Sequence, residues 1–251
     1  MSDPLAAVRP LLAGALVALD FDGTLAPVVR RPQDARPADG ALAMLGKLSS
    51  RIRQLAIVTG RPAQTVVELG DLARVPGLIV LGHYGLQRWS AGIIDSPEPV
   101  PGVAVARAAL PALLPPGVSI EDKLHSVVVH TRTHPEPASV QRLLRAPLAE
   151  LATRNGLELV PGRFVWELRP PGTDKGGALR RLAHEVTPSA VLVAGDDLGD
   201  LPMFAAARAL GVPALRIAVV SADAPAQVAN AADHAVQGPS GLVELLADLT
   251  A

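Results

Sequence analysis

Residues 16–25 read LVALDFDGTL, an apolar run that ends in two aspartates separated by one residue. A short, continuous apolar run bounded by polar residues fits a buried strand. Packing gives such a strand no reason to carry paired carboxylates at its tip. In an extended segment residues i and i+2 face the same side, so Asp20 and Asp22 can serve one ligand. Gly23 and Thr24 would turn the chain and aim backbone N–H groups at an anion. Asp-Gly is also ordinary turn and cap chemistry, so the meaning of the pair depends on what the rest of the chain brings to it.

Working outward, the runs RQLAIVTGRP (53–62) and LIVLGHYG (78–85) repeat the pattern of an apolar stretch closed by polar residues. Helix-like stretches lie between the three runs, DGALAMLGKLSSR (39–51) and PAQTVVELGDL (62–72). The same alternation returns in KGGALRRLAHEV (175–186), AVLVAGDDLGD (190–200), LPMFAAARAL (201–210), LRIAVV (215–220), DHAV (233–236) and GLVELLADL (241–249). Alternating strands and helices predict βαβ units around a parallel, Rossmann-like sheet. Residues 100–169 follow another pattern: helix-like VAVARAALPALL, strand pair VSIEDK and HSVVVHTR, helix-like SVQRLLRAPLAELATR, then LELV and RFVWELR joined at Pro161-Gly162. Proline-rich SPEPVPG and RPPGTDKG bracket it. The expected fold class is α/β, with a parallel-sheet core over residues 1–99 and 170–251 and an inserted αββαββ cap domain over 100–169.

Composition narrows the function. Of 251 residues 49% are hydrophobic and 19% charged, the balance of a globular chain. Twenty-three basic and 24 acidic residues are spread evenly, so no basic stripe suggests nucleic acid or an anionic membrane. Aromatics at 2% argue against base-stacking platforms. The absence of cysteine removes disulfides, thiolate metal sites and cysteine nucleophiles, and fits a reducing cytoplasm. The first 22 residues lack a signal-peptide pattern, and their apolar part is too short to span a bilayer. The expectation is a cytoplasmic monomer acting on a small molecule.

In an open parallel sheet ligands bind beyond the carboxyl ends of the strands, which is where Asp20, Asp22, Thr59, His83, Asp196, Asp197 and Asp200 all fall. One carboxylate can attack phosphorus, and a neighbouring carboxyl can protonate the leaving alcohol and later activate water. Carboxylates facing a phosphate need a cation, and magnesium takes oxygen ligands while keeping several waters. Asp196 is the expected direct ligand, with Asp20 and the Asp22 carbonyl beside it. Asp197 or Asp200 would hold waters of the metal shell or orient Lys175. Thr59 can offer its hydroxyl and N–H to phosphate, and Lys175 starts a helix whose dipole also favours anions.

The ordered set DFDGT, VTGR, TDKGGAL and GDDLGD resembles the haloacid-dehalogenase superfamily of phosphatases. That resemblance implies Asp20 as nucleophile, Asp22 as general acid/base and Mg2+ as cofactor. Asp22 argues against a dehalogenase, which has no leaving alcohol to protonate. Within the superfamily DFDGTLAP, SIEDKLHSVVVHTR, RFVWELRP and GPSGLVELLADL are similar to segments of the trehalose-6-phosphate phosphatases. Carried over by position, that likeness makes Glu121, Lys123, Ser126, His130, Arg132, Glu167 and Arg169 the sugar-binding set on a cap that closes over the rim. Arg61 would reach across the domain interface, and Thr24 would face phosphate. Two departures stand out. GHYG puts His83 where an asparagine is expected, and Leu198 and Gly199 remove polar groups beside the metal acids. His134, His184 and His234 receive no role.

The alternatives are a phosphatase for another sugar phosphate, such as sucrose phosphate or a glycosyl-3-phosphoglycerate, a phospho-accepting signalling domain, and an inactive sensor. Signalling receivers place the acidic pair before the accepting aspartate and lack the insertion, so the motif order here disfavours them. Intact Asp20, Asp22, Lys175 and Asp196 disfavour an inactive sensor.

Overall fold

A computed structural model describes residues 5–6, 8–162, 164–222 and 224–250. The chain divides into two compact units, the larger formed by Met1–Ser96 with Asp174–Ala251 and the smaller by Pro97–Thr173. The smaller unit extends a few residues beyond the 100–169 read from the sequence at each end.

The first part of the larger unit runs β1 (Ala15–Leu19), α1 (Ala41–Ser49), β2 (Gln54–Val58), α2 (Ala63–Gly70), β3 (Ile79–Gly82), β4 (Gln87–Ser90) and β5 (Ile93–Asp95). The smaller unit then contributes α3 (Pro101–Ala109), β6 (Ser119–Asp122), β7 (Val127–His130), α4 (Pro137–Arg154), β8 (Glu158–Gly162) and β9 (Val165–Arg169). The larger unit resumes with α5 (Lys175–Val186), β10 (Ala190–Gly195), α6 (Leu201–Ala209), β11 (Ala214–Val220), α7 (Ala226–Ala231), β12 (His234–Gln237) and α8 (Gly238–Leu249).

Among the described residues the larger unit's sheet has the order β12-β11-β10-β1-β2-β3-β4-β5. It is parallel from β12 to β3 and antiparallel at β4 and β5. From β1 the chain steps one way to β2 and β3, then returns to β10 on β1's other side and steps the opposite way. Right-handed crossovers therefore place the two runs of helices on opposite faces. The apolar residues agree. Ala15, Val17 and Leu19 of β1 share one core with α1, α2 and α8, while Leu16 and Ala18 share the other with α5, α6 and α7. Both faces are covered, so β1 and β10 are buried throughout and read as unbroken apolar runs. The reversal of strand order falls between β1 and β10, the position at which doubly wound sheets open a ligand crevice.

The β4-β5 hairpin adds two antiparallel strands that the sequence pattern does not predict. Both strands are short; Trp89 of β4 is buried, while Ile93 and Ile94 of β5 are exposed at the sheet edge.

The smaller unit is an αββαββ layer pair with sheet order β6-β7-β9-β8, antiparallel throughout. Val127, Val129, Trp166 and Leu168 point to one face and pack with Val103, Ala106 and Leu110 from the α3 side and Val140, Leu144, Leu148 and Ala152 of α4. Pro161 and Gly162 lie inside β8, paired with Trp166 and Val165, so the chain reverses beyond them and not at them. No helix among the described residues is long and apolar enough to cross a membrane.

Candidate active site

The end of β1 carries Asp20, whose N–H donates to the Ala194 carbonyl of β10 at 3.0 Å. That bond prolongs the parallel ladder by one residue and fixes the aspartate at the crevice. Asp20 is 4% exposed. Lys175, the first residue of α5, donates from Nζ to Asp20 Oδ1 at 2.6 Å and to Asp200 Oδ1 at 2.7 Å. The helix is capped at this end by Asp174, whose carboxylate accepts from the Gly177 N–H at 2.6 Å. An ammonium at a helix N-terminus opposes the dipole, and burial adds to the cost; the two carboxylates offset both. Burial alone would lower the Lys175 pKa, but Asp20 and Asp200 outweigh it and hold it well above the usual lysine value. Removing one partner of such a buried pair costs about 3–5 kcal/mol, so Lys175→Ala is expected to lose stability on that scale, measurable by chemical denaturation.

Asp200 is fully buried and spends its second oxygen on the backbone, accepting from Asp196 N–H at 2.9 Å and Asp197 N–H at 3.1 Å. It therefore orients Lys175 and shapes the acidic loop together. Asp197 accepts from the Gly199 N–H at 2.8 Å and caps the short turn 198–200. Of the two acids left open by the sequence, Asp200 contacts Lys175, and Asp197 stands outside the carboxylate cluster. That cluster is Asp20, Asp196 and Asp200, with oxygens within 4.8 Å of one another. Its donors are hard oxygens at a half-open edge, a set that fits magnesium. Asp196 and Asp20 are the side chains with capacity to ligate, because both oxygens of Asp200 are engaged.

Gly23 shows how close the two strand ends come. Its φ is +81°, and a Cβ there would lie 2.0 Å from Asp196 Oδ2. Left-handed backbone costs a non-glycine residue about 1–2 kcal/mol, and the clash would displace Asp196. Gly23→Ala is therefore expected to lower the melting temperature by several degrees, readable by thermal shift.

Two anion-binding expectations are revised. The Gly23 N–H turns inward to the Ala26 carbonyl at 2.6 Å, and the Thr59 N–H continues the ladder to the Leu81 carbonyl at 3.0 Å. Neither is directed at a ligand. The Thr59 hydroxyl oxygen accepts from the Arg61 N–H at 3.1 Å, which leaves its own hydrogen to donate. Thr24 is fully buried, and its hydroxyl donates to Asp196 Oδ1 at 3.2 Å, a support for the acidic loop. The Arg61 guanidinium forks onto Asp22 within the larger unit, Nε to Oδ2 at 2.6 Å and Nη2 to Oδ1 at 2.5 Å.

His83 is buried, and with Tyr84 it forms a bend after β3 in which both residues have positive φ, 47° and 57°. The bend brings the His83 N–H to the Arg61 carbonyl and the Tyr84 N–H to the Thr59 carbonyl, each at 2.9 Å. GHYG thus braces the loop that carries Thr59 and Arg61.

In the smaller unit, strand register gathers most of the predicted sugar-binding residues on the sheet face opposite its core. Glu121, Val128, Glu167 and Val160 stand abreast across the four strands, and Ser119, His130, Val165 and Gly162 form the next row. Lys123 and Ser126 follow at the strand ends, joined by Lys123 N–H to the Ser126 carbonyl at 3.0 Å. Buried Glu167 accepts from Ser126 Oγ at 2.6 Å, with Lys123 Nζ at 3.9 Å and Arg169 Nη1 at 4.0 Å. His130 and Glu121 meet at 2.8 Å. Arg132 lies in an exposed turn beyond β7, outside this ladder. Glu158, which the sequence did not single out, holds Arg169 Nε at 2.9 Å; a turn at Pro161-Gly162 would not set the two opposite, and the register with Gly162 against Val165 does.

Against this geometry, the family model of trehalose-phosphatases matches residues 18–240. An uncharacterized glycosyl hydrolase of Mycobacterium tuberculosis is 33% identical over 211 residues, which covers 78% of this chain and 15% of that protein. A trehalose-phosphate phosphatase of Mycobacterium tuberculosis is 31% identical over 259 residues, covering 93% of this chain and 63% of that one. The chain thus spans less than two-thirds of the length of either relative. A solved structure, that of a trehalose-6-phosphate phosphatase related protein, has 25% identity and a TM-score of 0.70, covering 94% of this chain and 96% of that one. The match begins in β1, takes in the acidic loop and the inserted unit, and ends in α8: the chain belongs to the trehalose-phosphatase family.

Proposed function

We propose that the protein is a magnesium-dependent phosphatase that hydrolyses trehalose 6-phosphate to trehalose and phosphate. The observation that carries this reading is the buried Asp20–Lys175–Asp200 array at the end of β1, with Asp196 beside it and Asp22 two residues on. Asp20 attacks phosphorus through a carboxylate oxygen, and the bond from phosphorus to the sugar oxygen breaks. Asp22 gives that oxygen a proton. Asp22 then takes a proton from water as the water attacks the aspartyl-phosphate, which frees Asp20 and phosphate. Lys175 and the Thr59 hydroxyl stabilise the transferring oxygens. Magnesium, held by Asp20, Asp196 and the Asp22 carbonyl, would neutralise the charge between phosphate and carboxylates.

The inserted unit supplies the choice of sugar in this reading. Its polar sheet face combines carboxylate, ammonium and guanidinium groups, which pair with sugar hydroxyls through charge-assisted hydrogen bonds. The enzyme would act as a cytoplasmic monomer. Phosphate release with magnesium, measured over trehalose 6-phosphate, sucrose 6-phosphate and glucosyl-3-phosphoglycerate, tests the assignment. Preference for the first is expected; preference for either of the others would keep the chemistry and overturn the sugar.

The carboxylate cluster also sets a pH dependence. Burial, then Asp200 and Asp197, push Asp196 up to about 7. A carboxyl whose folded value stands above its unfolded one stabilises the fold at low pH and loses that contribution as pH rises through the folded value. For Asp196 the window runs from 3.8 to about 7. Magnesium relieves the repulsion that appears across it. The gain in melting temperature on adding the ion is therefore expected to be larger near pH ~8 than near pH ~5.5, and differential scanning fluorimetry reads it directly.

A further inference from the structure

We propose that Arg61 is a positioning residue for Asp22, fixing the proton-transfer carboxyl and not the substrate. The inference rests on the phosphatase reading above. Arg61 makes four anchored contacts in the larger unit: two N–H bonds to the two Asp22 oxygens, Nη1 to the Pro32 carbonyl at 2.9 Å, and its own N–H to the Thr59 hydroxyl at 3.1 Å. Its backbone carbonyl is braced by the His83 N–H at 2.9 Å. The Arg61 side chain is 18% exposed and that of Asp22 37%, so the fork forms at the edge of the crevice. A planar two-donor fork fixes both the place and the plane of a carboxylate, which a point charge cannot do. A carboxyl group offers about four lone-pair sites; with two taken by the fork, a third can carry the proton that passes to the leaving oxygen, and once ionised it accepts one from the attacking water. The loop of β2 thereby holds the side chain that the loop of β1 presents, and Asp22 is aligned with Thr59 and Asp20 in one frame.

Loss of alignment should show where a proton must move. Misplacing a catalytic group by about an ångström can cost ~10²-fold. Arg61→Ala and Arg61→Gln are therefore expected to lower kcat on trehalose 6-phosphate, an alkyl ester, by about 10²-fold. On p-nitrophenyl phosphate, whose leaving group departs without a proton, the rate of the p-nitrophenol burst should fall at least about tenfold less, while the steady state, which needs Asp22 as base, still slows. Arg61→Lys should recover only part of the alkyl rate, because the ammonium lacks the fork. In the Asp22→Asn background a further Arg61→Ala change should cost little on the alkyl ester, since coupled groups are not additive. Arg61→Gln carries the same cycle if Arg61→Ala does not fold. A p-nitrophenol burst slowed as much as turnover of trehalose 6-phosphate, or a full second loss in the Asp22→Asn background, would overturn the inference and leave the phosphatase reading standing. Wild-type protein that releases phosphate from neither ester would overturn the phosphatase reading and the inference with it.

Discussion

Asp20→Asn is expected to abolish phosphate release, with kcat falling on the order of 10⁴-fold or more, because loss of a nucleophile removes the covalent path outright. The substitution keeps the size of the side chain and the backbone bond from Asp20 N–H to Ala194, so the end of β1 should hold its place. It also removes a charge from a crowded site. Burial raises the Asp20 carboxyl well above its ordinary value; Lys175 pulls it down, while Asp200 and Asp196 push it up again. A neutral amide is relieved of that burial and repulsion but gives up its pairing with Lys175, which Asp200 still holds at 2.7 Å. Retained folding with lost turnover is therefore the expected result, checked by melting temperature beside a phosphate-release assay. An unfolded variant would speak only of the ion pair. A folded and fully active one would remove Asp20 from the chemistry.

Asp22→Asn is expected to lower kcat on trehalose 6-phosphate by about 10²–10⁴-fold, the range lost with a general acid or base. The loss should depend on the leaving group. An alkoxide needs its proton, whereas p-nitrophenolate leaves unaided, so formation of the covalent intermediate should be far less impaired on the aryl ester. Hydrolysis of that intermediate still needs Asp22 as base. A burst of p-nitrophenol, close to one per enzyme in size, should then precede a slow steady state. Stopped-flow absorbance makes the measurement. Uniform slowing on both esters without a burst would remove Asp22 from proton transfer and leave it as a structural partner of Arg61.

The parts of this architecture that are legible in the sequence are those where a single physical demand sets the residues. Leu16 to Leu19 and Val191 to Ala194 are buried from both faces, so their apolar runs identify central strands directly. Asp20, Lys175 and Asp196 stand at the ends of elements whose type the pattern makes clear, and the fold brings them to one edge. The hidden parts depend on competition among backbone groups. Nothing in VTGR or DGT states that the Thr59 and Gly23 N–H groups are taken by Leu81 and Ala26. In GDDLGD either acid could serve Lys175. Asp200 does so because Asp197 is spent capping the turn between them. The β4-β5 hairpin is hidden for a different reason: QRWS and IID are too short and too mixed to show a period. Arg61 is the instructive case. VTGR marks its place, but its partner is decided by a contact across 39 residues of sequence.

The central claim is that Asp20 carries the phosphoryl group. Its most direct test is to quench the enzyme in acid during turnover of trehalose 6-phosphate with magnesium, reduce it with hydride, and map the peptides by mass. An acyl phosphate on Asp20 would be reduced to homoserine at position 20, and that product is predicted, dependent on substrate and absent from Asp20→Asn. Reduction at another acidic residue, with Asp20 unmodified while phosphate is released, would contradict the account.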